Sequence, residues 1–178
     1  MYSSLPGNST PGTPVKTQSA APHVPSAVAS SVDVNGNDVS AARSGSGATH
    51  WHFFTQGRVS QPPVLFDSVV YVGTNAGYVY ALRISDGVLL WTYHAGSSIA
   101  TPLTVANGVL YFSSVHYYVH ALRLDNGTRL WTYHSPNPII SPATVARGVD
   151  YVYTRNGIVY LLQASSGTLL SSTTALSW

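Results

Sequence analysis

The stretch YALRISDGVLLWTYH, Tyr80–His94, returns forty residues later as HALRLDNGTRLWTYH, His120–His134. The period holds without a gap over three copies. Pro62, Pro102 and Pro142 match, as do Tyr71, Tyr111 and Tyr151, and then Gly87, Gly127 and Gly167. Trp91 pairs with Trp131, while Ser171 fills the third slot. A fainter copy lies upstream, where NGNDVSAARSGSGATHW (Asn35–Trp51) falls over NAGYVYALRISDGVLLW (Asn75–Trp91). Repeats of 20–50 residues are stacked supersecondary units, each unable to bury its apolar face alone.

Turn signals divide one copy into four short strands. In residues 101–134 the breaks fall at Ala106-Asn107-Gly108, at Asp125-Asn126-Gly127 and at Ser135-Pro136-Asn137-Pro138, with VLYFS, YYVHALRL and RLWTY between β-poor stretches. Asn-Gly and Asp-Gly between β-rich runs are hairpin signals. Four antiparallel strands in forty residues describe one blade of a β-propeller. The expectation is an all-β partial β-propeller over residues 32–178. Its four-stranded antiparallel blades fall at about residues 62–94, 101–134 and 141–172, with a degenerate blade at 33–54.

Composition agrees. The chain has twelve Tyr, no Glu and one Lys, and only 8% charged residues, whereas helical surfaces draw on Glu, Lys and Ala. Residues 1–31 are rich in Ser, Thr, Pro and Ala, and are expected to be a disordered tail or linker. Such a linker fits an extracytoplasmic domain tethered upstream of Met1, and an ordinary terminus equally well. The net charge of +2 comes from scattered residues without a basic run, which argues against nucleic acid as a partner. No apolar run reaches the length of a membrane span. Cysteine is absent, which excludes disulfides, thiolate metal sites and a Cys nucleophile.

The segment YVGTNAGYVYALRISDGVLLWTY resembles the repeat of the pyrroloquinoline-quinone (PQQ)-like β-propellers, with its Tyr-Val-Gly, Tyr-Ala-Leu and Gly-x-x-x-Trp elements. The likeness covers residues 62–172 well and 33–54 poorly. It implies a docking girdle in which each Trp packs on the neighbouring blade. Ala81, Gly87 and Trp91, then Ala121, Gly127 and Trp131, match those positions. Two departures stand out. The family's Asp two residues after the Ala is replaced by Arg83, Arg123 and Gln163, and the third copy has no Trp.

The family includes quinone-dependent alcohol and sugar dehydrogenases, in which the resemblance would imply PQQ and a Ca²⁺ held partly by Glu, often with vicinal cysteines. This chain has neither residue. No catalytic, cofactor or metal residue is therefore assigned, and the expectation is a non-enzymatic module for binding or assembly. The alternatives are a dehydrogenase fragment and a truncated gene product. Paired carboxylates for acid–base work are not suggested: Asp67, Asp86 and Asp125 sit in turns, and Asp150 replaces an apolar strand residue. His116 and His120 are expected on one face of a strand, about 13 Å apart at 3.3 Å per residue. A binding face is expected where the second–third and inter-blade loops emerge together, at Asn75, His94, His116, His134, Arg155 and Asn156. Three or four blades turn through about half a circle, so self-association or pairing with another propeller segment is expected to cover the end faces.

Overall fold

The computed structural model describes residues 29–43 and 49–174, and every regular element among them is a strand. Four antiparallel sheets follow one another along the chain. The first has three strands, β1 (Ala29–Asn35), β2 (Asp38–Arg43) and β3 (Thr49–Phe54). The second holds β4 (Val64–Phe66), β5 (Val69–Gly73), β6 (Tyr78–Arg83) and β7 (Leu89–His94). The third holds β8 (Thr104–Ala106), β9 (Val109–Ser113), β10 (Tyr118–Arg123) and β11 (Arg129–His134). The fourth holds β12 (Thr144–Ala146), β13 (Val149–Tyr153), β14 (Ile158–Gln163) and β15 (Leu169–Thr174). The chain is a partial β-propeller of antiparallel blades, three of them four-stranded.

Local chemistry sets the turns. The first hairpin of each full blade closes with two residues in left-handed backbone: Asp67-Ser68 (φ 45° and 63°), Asn107-Gly108 (51° and 74°) and Arg147-Gly148 (51° and 78°). Two left-handed residues match the right-handed twist of the flanking strands. The last hairpin of each blade needs Gly87, Gly127 or Gly167, at φ 69–71°.

The core lies between blades rather than within any one of them. Tyr71, Val79, Ala81 and Trp91 on the front of the second blade meet Ile99, Leu103, Leu110, Phe112 and Leu122 on the rear of the third. The same interlock recurs one blade earlier and one blade later. In the first blade, β1 begins at Ala29, inside the stretch expected to be tail; the rest of that stretch lies outside the described residues. Val32, Val34, Val39 and Ala41 share its front face and pack on the second blade. Its rear differs from every other: Ser31, Asp33, Ser40 and Ala42 stand at the ladder positions of Val70, Val72, Tyr80 and Leu82.

A Cβ at Gly127 would stand 2.5 Å from the Trp91 ring, whereas one at Gly148 would meet nothing within 4 Å. Both glycines have positive φ, which costs an L-residue about 1–2 kcal/mol. Gly148→Ala is expected to lose about that much in denaturant unfolding. Gly127→Ala should lose about 1–3 kcal/mol more from overpacking. Equal losses would show that the indole is not seated on the glycine.

Candidate functional site

Two constellations recur with the repeat, one between blades and one at their loop end. Between blades, Ala41, Ala81 and Ala121 stand directly across the ladder from Trp51, Trp91 and Trp131. A methyl group there leaves the indole free to lie across its own sheet toward the next blade. The rings meet Gly87, Gly127 and Gly167 respectively. Each indole N–H donates to a backbone carbonyl of that blade: Trp51 to Ile84 at 2.8 Å, Trp91 to Leu124 at 3.1 Å and Trp131 to Ala164 at 2.9 Å. Tyr71 and Tyr111 donate to the same Leu124 and Ala164 carbonyls, at 3.4 and 3.3 Å. Trp51 and Gly167 belong to this set, although the sequence motif drew attention only to the two middle copies; the forty-residue offset carries the signal for both. Arg83 and Arg123, where the family has Asp, pair instead with Asp86 and Asp125 of the same turn, at 2.9 and 3.0 Å.

The second constellation sits where the second–third loop of each blade meets the chain arriving from the blade before. Asn75 donates its amide to Arg58 O at 2.9 Å, Val115 to Ser98 O at 3.0 Å and Arg155 to Pro138 O at 2.9 Å. The loop reverses on a left-handed residue, which is Gly77 (φ 84°), Tyr117 (φ 67°) and Gly157 (φ 80°) in the three full blades. A bulky residue in that region is strained, and such strain concentrates at functional sites. Tyr117 lines a cleft of about 560 Å³ between the third and fourth blades, with Val115, Ile139, Ile140 and Arg155. Ile140 is 57% exposed, and no ion pair engages Arg155 among the described residues. On the opposite end, two repeat-related clefts of about 520 and 460 Å³ open beside Leu90 and Leu130.

The six residues expected on the binding face separate. Arg155 alone lines the Tyr117 cleft. Asn75 accepts the Arg58 amide at 2.9 Å and so ties its loop to the incoming inter-blade chain, and Asn156 accepts the Thr154 hydroxyl at 2.8 Å within its own loop. His94 stacks on Tyr78 and His134 lies tilted against Tyr118, with ring centroids 4.4 and 4.7 Å apart. His116 stands exposed in the loop before β10, not on a strand beside His120 as expected. His120 is buried against Phe112 and Tyr93 at the joint between the second and third blades. Its Nε2 lies 3.3 Å from Ser114 Oγ, and burial pushes its imidazole down to about 4. No group of three His, Cys, Asp or Glu that could hold a metal exists among the described residues. Tyr117, Val115 and Ile140 were not expected, yet the sequence carried one clue: Gly, Tyr, Gly at 77, 117 and 157.

Blades joined by a Trp on the next glycine define a class, the propellers built from PQQ-type repeats. The family described as outer membrane protein assembly factor BamB matches residues 35–177, and the chain belongs to it. Among solved structures, BamB from Moraxella catarrhalis is similar with a TM-score of 0.67 and 17% identity, over 80% of this chain and 44% of that one. The quinohemoprotein alcohol dehydrogenase ADHIIG from Pseudomonas putida HK5 gives 0.65 and 12%, over 80% and 32%. The quinohemoprotein alcohol dehydrogenase from Comamonas testosteroni gives 0.65 and 15%, over 80% and 33%. At these identities the likeness is one of fold, and the chain spans less than half the length of each structure. No curated protein matches it.

Because burial lowers the folded-state affinity of His120 for a proton, its site loses stability as pH falls from 6.5 toward 4. An NMR titration is expected to place its ring-proton midpoint near 4. A midpoint in the ordinary histidine range would mean that the ring is solvated.

Proposed function

We propose that this chain is a non-catalytic binding module, and that its ligand face is the Tyr117 cleft between the third and fourth blades. The observation that carries the reading is Tyr117 itself. The repeat accommodates Gly at that position on both sides, and the chain instead holds an aromatic there, in left-handed backbone and 38% exposed. A strained, exposed ring beside Ile140 and the guanidinium of Arg155, which makes no ion pair among the described residues, suits a partner with an apolar side chain next to a carboxylate. An extended, acidic-apolar peptide segment has that chemistry.

The quinone-dehydrogenase reading draws support from two structures of similar fold. The donor chemistry of this chain argues against it. A hard cation such as Ca²⁺ takes several oxygen ligands, commonly carboxylates; the chain has no Glu, and its six Asp are dispersed among turns and strands. Head-to-tail pairing of two copies through the girdle also finds little support. It would bring Leu161 and Ser171, the ladder pair that replaces Ala and Trp, against the polar rear of Ser31, Asp33 and Ser40.

Selection from a displayed peptide library, with Arg155→Glu as the counter-target, tests the proposal. Acidic-apolar sequences should be enriched on the natural chain and lost on the variant. Tyr117→Gly should stabilise the fold by about 1 kcal/mol or more by removing backbone strain, and weaken the selected peptides about tenfold. Unchanged binding in both variants would remove the cleft from consideration. Oxidation of alcohol or glucose after addition of PQQ and Ca²⁺ would favour the dehydrogenase reading.

A further inference from the structure

Val70, Leu110 and Asp150 stand forty residues apart, in the same position on the second strand of successive blades. Val70 and Leu110 belong to the apolar clusters that seal the joints behind their blades. Asp150 takes the equivalent place between the third and fourth blades, with 0% of its surface exposed. Among the described residues neither carboxyl oxygen makes a geometrically sound hydrogen bond, and the backbone N–H of Thr144, which favours the carboxylate, is outweighed by burial. On the ladder its neighbours are Val145 of β12 and Leu162 of β14. The titratable group facing it from the third blade is Tyr111 of β9, whose hydroxyl donates to Ala164 O. Neither Arg147, at the hairpin turn, nor Arg155 forms an ion pair with it.

A buried carboxylic acid beside a single backbone amide is tolerable, whereas a buried carboxylate with no counter-charge is not. We propose that Asp150 makes the joint between the third and fourth blades proton-dependent: the acid is seated there, and the carboxylate drives the joint open to water. Burial pushes Asp150 up to about 7 from 3.8, which accords with this geometry. The closed joint thus binds the proton more tightly than the open one. It is tightest below about pH 4, its opening constant rises about tenfold per pH unit toward 7, and it levels off above.

The neighbouring joint responds in the opposite sense. There His120 of the third blade lies against Tyr93 and Phe112, with Arg129 as the cation that acts on it. Protonation disfavours its burial, so that joint loosens as pH falls from 6.5 toward 4. Acid therefore firms the joint beneath the Tyr117–Arg155 cleft while loosening the one before it. This inference concerns the joint alone and stands or falls independently of any ligand for the cleft.

Hydrogen exchange on the full chain at pH 5 and pH 7, corrected for intrinsic rates, tests it. Opening of β13 and β14 should increase about fiftyfold across that interval, while β5 and β6 show no such increase. Asp150→Leu restores the apolar character of the register, and Asp150→Asn keeps the shape without a titrating proton. Either variant, whichever folds, should abolish the rise in β13 and β14. A flat profile in the natural chain, a rise shared equally by β5 and β6, or a rise that persists in the variants would overturn the proposal.

Discussion

An indole laid over a glycine of the next blade is the contact on which the arc depends. A four-stranded sheet of forty residues has two faces and cannot bury either alone, so each blade is stable only as its neighbour's partner. Burying 150–250 Å² of Trp is worth roughly 4–6 kcal/mol before entropy is charged, as an upper bound. The contact also explains three residue choices together. Ala stands across the ladder because the ring must pass over it. Gly receives the ring because a Cβ would fall 2.5–2.7 Å from it at Gly87, Gly127 and Gly167. The carbonyl after the third strand takes the indole N–H, so the polar edge of the ring is satisfied where it is buried.

The series has a direction. Every joint is made by a front face bearing Trp and a rear face bearing large apolar residues, and the two ends of the described arc break that rule in different ways. The front of the fourth blade swaps the Ala–Trp pair for Leu161 and Ser171. The rear of the first blade swaps apolar residues for Ser31, Asp33, Ser40 and Ala42. Between them, the two joints flanking the third blade each bury a residue that titrates below pH 8, His120 or Asp150, where neighbouring blades have Tyr or an aliphatic side chain.

Much of this was legible in the sequence because the repeat is strict where turns and docking demand it. Asn107-Gly108, Gly127 and Trp131 each have one physical job, and their spacing fixes strand order and blade size. The first blade was harder to read. Its β1 ladder runs one residue out of step, with Val32 rather than residue 31 at the place of Tyr71, so a forty-residue comparison hides Val32 and Val34, although Val39 still lies over Val79. Topology alone places the loop-end site, and it cannot tell a side chain that ties down nearby backbone or a loop hydroxyl, as Asn75 and Asn156 do, from one that faces a cleft, as Arg155 does. Tyr117 reads as strand in the sequence because it is an aromatic beside β-formers; its left-handed backbone becomes visible only against Gly77 and Gly157.

One indole per joint seats each blade on the next. Truncating Trp131 to Ala, with hydrogen exchange followed strand by strand, measures this most directly. The expected cost is about 3–5 kcal/mol for loss of a buried Trp, with β13–β15 losing protection first while β5–β7 retain theirs. A loss below about 1 kcal/mol, or protection that falls evenly across all the blades, would contradict it.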